Sequence, residues 1–337
     1  MNHSKVSIII LNWNGLKNTI ECLESLKKIT YPNYEVILVD NGSKGNDADI
    51  LKEKYKDYIR LIRNKKNLGF AEGNNVAIRE VIKEGKSDYI LLLNNDTAVE
   101  PDFLDELIKC AKRHLNTGSI QPKMVFSWNP RFIDSTGHLY SKNSLAFNRG
   151  AYESVDKYNE ENEIISCCAG ACLYRISALK DIAIEDEYFD KDFFTSYEDV
   201  DLGFRLQWAG WKSWYCPKSV VYHKRGATTG IRSPFIIYHF SRNQTWTFFK
   251  NFPISFLLKN FSWFFIAEIF QIGLNLLRRK PIILKAKIDA YRNLGKILRK
   301  KKQIKKTIDF KEIEKFLILK WRITAPFYSQ FKKQTKP

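Results

Sequence analysis

The chain is short of cysteine: six residues in 337, namely Cys22, Cys110, Cys167, Cys168, Cys172 and Cys216, none of them in a CxxC pair. That count excludes a disulfide scaffold and a zinc ribbon. No secretory signal separates Met1 from the first apolar run, so a reduced, cytosolic compartment is expected. The glycine-containing stretch NLGFAEGNN has neither the GxGxxG nor the GxxxxGKS spacing, which disfavours a dinucleotide dehydrogenase and a P-loop ATPase. No internal repeat is visible, which excludes solenoids and propellers.

What is present is globular: 44% hydrophobic and 27% charged residues. The length points to one large α/β domain with an appendage, or to two domains. The net charge of +18 is unevenly placed. Residues 1–277 carry 35 Lys and Arg against 33 Asp and Glu, whereas residues 278–337 carry 20 against 4. A basic tail behind a neutral body indicates an anionic surface, either nucleic acid or acidic lipid.

Strand and helix signals alternate over the first hundred residues. Val6 to Leu11, Val36 to Val39, Ile59 to Arg63 and Tyr89 to Leu93 read as buried strands. Helical patterns follow Gly15 and span Asn75 to Glu84. This alternation predicts a doubly wound, mainly parallel sheet, with ligands at the carboxyl ends of its strands, where Asp40 and Asp96 fall. Signals weaken from Gln121 to Arg175, where irregular strands and loops are expected. Tyr197 to Trp208 and Phe235 to Phe249 read as helices, and Trp214 to His223 as a strand.

Seven motifs occur in order over residues 6–228: SIIILNWNG, VDNGS, NLGFAEGNN, LLLNNDT, CAGACLYR, YEDVDLGFRL and YHKRGAT. In this the chain closely resembles the GT-A glycosyltransferases of family 2, within them the rhamnosyltransferase-like and galactofuranosyltransferase-like branch. The resemblance covers about two thirds of the sequence and implies a GT-A nucleotide-diphospho-sugar transferase fold over residues 1–250. Asn94-Asn95-Asp96 sits where the family has its DxD motif, so Asp96, with Asn95 beside it, is the expected anchor for Mn²⁺ or Mg²⁺ bridging the donor's phosphates. Asn94 replaces the first Asp. Asp40 matches the residue that contacts base or ribose, and Asn67, Gly69 and Asn74 precede or open a helix where backbone N–H groups can meet phosphate. For Asn67 and Asn74, helix capping is the alternative.

Glu198 and Asp199 open an amphipathic helix, where carboxylates also complement the helix dipole. By resemblance Asp199 is the general base of a single inverting displacement, with Glu198 its partner. His223 resembles the histidine that completes the metal shell beside Asp96, and Lys224 and Arg225 are placed to neutralise the leaving diphosphate. Gly170, Ala171 and Trp211 match positions near the acceptor, with packing as the alternative for each.

Phe252 to Leu277 is rich in Phe, Trp, Ile and Leu but is interrupted by Lys259, Asn260, Glu268, Gln271 and Asn275. Its longest uninterrupted stretch, WFFIA, is far short of a membrane span. Glu268, Gln271, Asn275 and Arg278 share one helical face, so an amphipathic helix is expected in a membrane interface, with Arg278-Arg279-Lys280 and Arg299-Lys300-Lys301-Lys302 reaching anionic headgroups. Packing on the catalytic domain is the alternative. The stretch Lys285 to Lys306 carries one aromatic residue, Tyr291, which speaks against a nucleic-acid-binding protein acting through the tail.

The sequence therefore predicts an inverting, metal-dependent glycosyltransferase. The branch favours dTDP-L-rhamnose as donor, with UDP-galactofuranose or another UDP-hexose as the alternative, and a lipid-linked or cell-surface polysaccharide acceptor. Residues 251–337 are expected to hold the enzyme peripherally on the inner face of the cell membrane. A catalytically dead carbohydrate-binding relative is the remaining rival.

Overall fold

Runs of Ile, Leu and Val too apolar for an exposed face become strands covered on both sides. The computed structural model describes residues 3–226 and 233–318. The chain runs β1 (Val6–Asn12), α1 (Leu16–Leu26), β2 (Tyr34–Asp40), α2 (Asp47–Tyr55), β3 (Ile59–Arg63), α3 (Gly69–Glu84), β4 (Tyr89–Asn94), β5 (Thr97–Val99) and α4 (Phe103–Arg113). It continues through β6 (Thr117–Phe126), β7 (Asn129–Ser135), β8 (His138–Ser141), β9 (Ala146–Asn148), β10 (Asn162–Ile164), β11 (Ala171–Arg175), α5 (Ile176–Ile182), α6 (Glu198–Trp208) and β12 (Lys212–His223). Then come α7 (Pro234–Asn251), α8 (Ile254–Leu277), α9 (Ile282–Arg292), α10 (Leu294–Lys301), α11 (Phe310–Glu314) and β13 (Leu317–Ile318).

The main sheet has the order β10-β12-β6-β11-β4-β1-β2-β3. Strands β3, β2, β1 and β4 are parallel, as the alternating pattern predicts. Beyond β4 the sheet is mixed: β11 runs antiparallel to both β4 and β6, and β12 runs parallel to β6. Successive side chains of a strand point to opposite faces. Accordingly Ile8, Ile10 and Leu91 pack with Leu23 of α1 and Leu107 of α4, whereas Ile9, Leu92 and Val39 pack with Ile78 of α3 and Leu179 of α5.

The weak signals from Gln121 to Arg175 conceal strands in the middle of the sheet. Gln121 is fully buried, yet its amide is satisfied by the Ala171 carbonyl and by the Cys168 N–H, so a polar residue serves a core position. Helix α3 begins at Gly69, six residues before Asn75, because both asparagines are accommodated within it. Asn74 Nδ2 donates to the Phe70 carbonyl, and Asn75 bonds the backbone of Phe189 through both its amide atoms.

A third apolar cluster joins α6 to the C-terminal helices. The stripe Val200, Phe204 and Trp208 meets Trp246, Phe248, Phe252, Phe264 and Ile297. The division expected at residue 250 falls in the last turn of α7, and both sides contribute to this cluster.

Helix α8 departs from the usual arrangement. Its inward face mixes Phe256, Leu257, Phe264 and Ala267 with polar groups: Glu268 is 3% exposed and bonds Lys287 of α9 and Thr245 of α7, and Asn260 is buried. Trp263, Phe265, Ile266, Ile269 and Phe270 face outward, Ile269 being 55% exposed. Among the described residues this helix alone is long and apolar enough to cross a membrane by length and composition. That differs from the short span read from the sequence, since its polar groups are few and clustered. The basic residues after it also divide. Arg278, Arg279, Arg299 and Lys302 are exposed, but Lys300 turns inward to Asp190, Asp192 and Glu187. Lys301 bonds the carbonyls of Phe249 and Phe252. The expectation that all four of Arg299-Lys300-Lys301-Lys302 meet headgroups is corrected accordingly. Residues beyond 318, with the last part of the basic tail, lie outside the described residues.

Candidate active site

The carboxyl ends of β1, β2 and β4 carry Asn12, Asp40 and Asn94, and a polar chain runs from Asp40 through Asn12 and Thr19 to Asn95. Buried Asn12 donates to Asp40 Oδ1 (3.0 Å), to Ser43 and to Asp47, and accepts from Thr19 Oγ1 (2.7 Å). Thr19 Oγ1 in turn accepts from Asn95 Nδ2 (2.9 Å). Gly15 makes room for this: a Cβ there would stand 2.4 Å from Asn95 Nδ2.

At these ends lies a cleft of about 230 Å³ whose lining includes Asn67, Gly69, Asn95, Asp96, Thr195 and His223. Five of the nine predicted site residues therefore share one cavity, in which Asp96 and His223 meet. His223 ends β12, beside β5, and its Nε2 is 3.1 Å from Asp96 Oδ1. Its Nδ1 is 2.7 Å from Oδ2 of Asp134, a buried β7 residue whose Oδ1 accepts from Arg225 (2.9 Å). Burial lowers the imidazole's proton affinity, but the hydrogen bonds to Asp134 and Asp96 outweigh it and raise the pKa to about 9. Burial pushes the Asp134 carboxyl up, yet Arg225 and His223 hold it below the ordinary carboxylate range.

This donor set fits a divalent cation. A carboxylate oxygen and an imidazole nitrogen face each other at ligand-to-ligand spacing, and the second imidazole nitrogen is fixed by a carboxylate, the arrangement that orients a metal-binding histidine. Asp134 has no sequence signal: it stands 89 residues from His223 in a segment of weak pattern.

Around the donor side, the expected residues divide by role. Asp40 does not line the cleft; its carboxylate receives Asn12 and the Ser43 N–H. Asn41, the next residue, does line it, and its side chain bonds Asn64, Asn67, Leu68 and Gly69. Asn67 Oδ1 accepts from the Gly69 N–H (2.8 Å), while the Phe194 carbonyl takes the Ala71 N–H (3.1 Å). These N–H groups at the start of α3 are thus used within the protein rather than kept for phosphate. Asn74 is buried in α3 outside the cleft. Gly69 has φ +80°, and a Cβ would lie 2.5 Å from the Phe194 carbonyl oxygen, so only glycine fits.

Glu198 and Asp199 begin α6, outside the cleft lining but three residues after Thr195. Asp199 Oδ2 accepts from the Ala169 N–H (3.1 Å), and the neighbouring Gly170 carbonyl accepts from the Asn94 N–H (2.8 Å), so the segment around Gly170 connects the two carboxylate motifs. His138 Nε2 lies 3.7 Å from Asp199 Oδ2, and burial lowers the pKa of that histidine. Glu198 is buried, its Oε2 has no hydrogen-bond partner among the described residues, and burial with the charge of Asp199 raises its pKa well above the usual range. His138, on β8, was not anticipated from the sequence.

Lys224 and Arg225 are both engaged, the first with Asn18 and Glu21 and the second with Asp134. Trp211 packs in the core and donates to Asp181. Of YHKRGAT, Ala227 and Thr228 lie outside the described residues. Away from the cleft, Cys110, His114 and Glu161 also cluster, but Glu161 is already paired with Arg113.

Residues 7–183 match the family model described as glycosyl transferase family 2. The chain is 26% identical over 234 residues to the N-acetylglucosaminyl-diphospho-decaprenol L-rhamnosyltransferase of Mycobacterium tuberculosis, covering 62% of this chain and 72% of that protein. Among solved structures it resembles GalNAc-T7 with UDP, GalNAc and Mn²⁺ (TM-score 0.61, 13% identity, 85% of this chain and 55% of that one). It also resembles the mannosyltransferase of Pyrobaculum calidifontis in complex with GDP-Man and Mn²⁺ (TM-score 0.55, 13% identity, 99% and 85%). At these identities the solved structures show a common GT-A fold.

Proposed function

Since the chain belongs to glycosyl transferase family 2, we propose that it moves a sugar from a nucleotide-diphosphate donor in the cleft to an acceptor hydroxyl, with inversion at the anomeric carbon. The observation that carries this reading is the meeting of Asp96 with His223 on the cleft wall, backed by Asp134. Asp96 and His223 would hold Mn²⁺ or Mg²⁺, and the nitrogen donor favours manganese. When bound, the cation supplies positive charge to the departing diphosphate. Asn67, Gly69 and Asn95 shape the donor side, and Asp40 and Asn74 support it from behind. Asp199 receives the acceptor's proton as the new oxygen-to-carbon bond forms; the bond to the diphosphate breaks, and the nucleotide leaves with its electron pair.

The mycobacterial relative's name supports an L-rhamnosyl donor and a lipid-linked acceptor; we take dTDP-L-rhamnose as that donor and a surface polysaccharide as the product's destination. A thermal-shift panel with dTDP-L-rhamnose, UDP-galactofuranose and other UDP-hexoses, each with Mn²⁺ or EDTA, tests this. The correct donor at 100 times its dissociation constant should stabilise by about 2.7 kcal/mol, and only with metal. Equal stabilisation in EDTA would overturn the metal reading, and a preference for a UDP-sugar would replace rhamnose.

A second observation concerns residues 251–337. On α9, Leu284, Ile288 and Tyr291 are exposed as well, and exposed Arg278 and Arg279 follow α8. An uncovered apolar face flanked by cations suits the anionic inner leaflet, where about 1 kcal/mol accrues per basic residue. We read this region as the peripheral membrane anchor.

A further inference from the structure

The loop that leads into Glu198–Asp199 is held in an unfavourable backbone shape. Phe194, Ser196 and Tyr197 have φ of 64°, 69° and 70°, and none is glycine. Side chains larger than glycine's enter this region at a cost of about 1 kcal/mol or more each and persist only where surrounding contacts enforce it. The enforcing contacts come from α7, beyond the stretch matched by the family model. Asn243 is fully buried, and its Nδ2 approaches three successive parts of the loop: the carbonyls of Phe193 (2.8 Å), Thr195 (2.8 Å) and Ser196 (2.6 Å). Its Oδ1 accepts from Arg242 Nε (2.9 Å), which fixes which end of the amide faces the loop. Arg242 itself lies over the Trp246 ring and donates to the carbonyls of Asp192 and Phe193. On the other side, Tyr197 accepts from the Ala146 N–H and donates to the Ser144 carbonyl. Further along α7, Lys250 and Asn251 hold Asp201, two residues beyond Asp199.

We propose that Asn243, oriented by Arg242, is a positioning residue that sets the place of Asp199 relative to the cleft. This rests on the reading of Asp199 as the base. One amide bridges carbonyls before and after left-handed Phe194 and that of left-handed Ser196, and the same loop supplies Phe194 and Thr195 to the cleft wall. Loss of the amide releases the loop, and a displacement of about 1 Å at a reacting group can cost about 100-fold in rate.

The test is a double-mutant cycle of Asn243→Ala and Asp199→Asn, read with dTDP-L-rhamnose, Mn²⁺ and a short-chain polyprenyl-diphospho-N-acetylglucosamine acceptor. Asn243→Ala is expected to lower kcat about 10- to 100-fold while donor affinity stays within about twofold, and to cost almost nothing further in the Asp199→Asn background. A purely structural residue would lose rate equally in both backgrounds, which overturns the proposal. Hydrogen exchange gives a second readout that needs no turnover: amides of residues 194–199, and the Ala71 N–H bound to the Phe194 carbonyl, should exchange faster in Asn243→Ala while those of β1 do not change. Unchanged exchange in the loop also overturns it. If Asn243→Ala does not fold, Arg242→Lys, which removes the Nε–H that orients the amide, is read by the same criteria. Full activity of Asp199→Asn would instead overturn the assignment of the base, leaving the exchange result to judge Asn243 alone.

Discussion

Asp134 never reaches the cleft, yet it fixes which nitrogen of His223 can. With Nδ1 committed to Asp134, Nε2 is the atom presented beside Asp96. Replacing Asp134 by Asn keeps the shape and removes the charge, so Mn²⁺ affinity, read by titration in the presence of nucleotide, should fall about 10- to 100-fold. Asp199→Asn should retain donor binding and lose transfer by about 100-fold or more, measured as product formation under saturating donor. At this scale the motifs place Asp96 and His223 at strand ends, and the structure brings the two side chains together there. The sequence was silent for Asp134 and His138, because their importance comes from pairing across strands far apart in the chain. It pointed to Asn74 as a site residue, whereas helix α3 uses that amide internally.

Among the elements, α8 shows what periodicity carries and what it omits. The spacing of Glu268, Gln271 and Asn275 placed them on one face correctly, but periodicity does not say which face is inward, and the ordinary assumption is the apolar one. Here Lys287 and Thr245 offer Glu268 a buried partnership beside Phe264, and a second apolar face is left outward. Truncation after Asn251 should abolish sedimentation with anionic liposomes if the remaining domain stays folded. Trp263→Ser with Phe270→Ser should weaken it without changing fold, as measured by circular dichroism. High salt should release only part of the intact protein, since charge is screened within about 8 Å and the apolar face is not. Resistance to both salt and alkaline carbonate would instead indicate a helix that spans. The strands from β6 to β11 were the least legible elements, since buried polar residues such as Gln121 break the pattern that marks a core strand.

For the whole molecule, the join between catalytic body and C-terminal helices is electrostatic as well as apolar. Asp190 receives Lys250 of α7 (2.7 Å) and Lys300 of α10 (2.5 Å). Burial alone would raise its pKa, but the two ammonium groups outweigh burial and hold the carboxyl well below the usual range. A depressed folded pKa gives stability that is present above the unfolded value, near 3.9, and is lost as pH falls towards the folded one. Thermal unfolding temperature should therefore drop below about pH 4, and Asp190→Asn should flatten that acid limb. At neutral pH the same substitution leaves Lys250 with Asp201 and Lys300 with Asp192 and Glu187, and should destabilise by about 2 kcal/mol, read by denaturant titration.

The outward apolar face of α8 has a kinetic consequence if it rests in a bilayer. An enzyme confined to a plane meets a lipid-linked acceptor by lateral diffusion, so the concentration that matters is molecules per unit area, not per litre. Diluting acceptor-bearing vesicles with buffer should then leave turnover per bound enzyme unchanged. Diluting the acceptor within the leaflet with inert anionic lipid should slow it, although the bulk amount of acceptor stays the same.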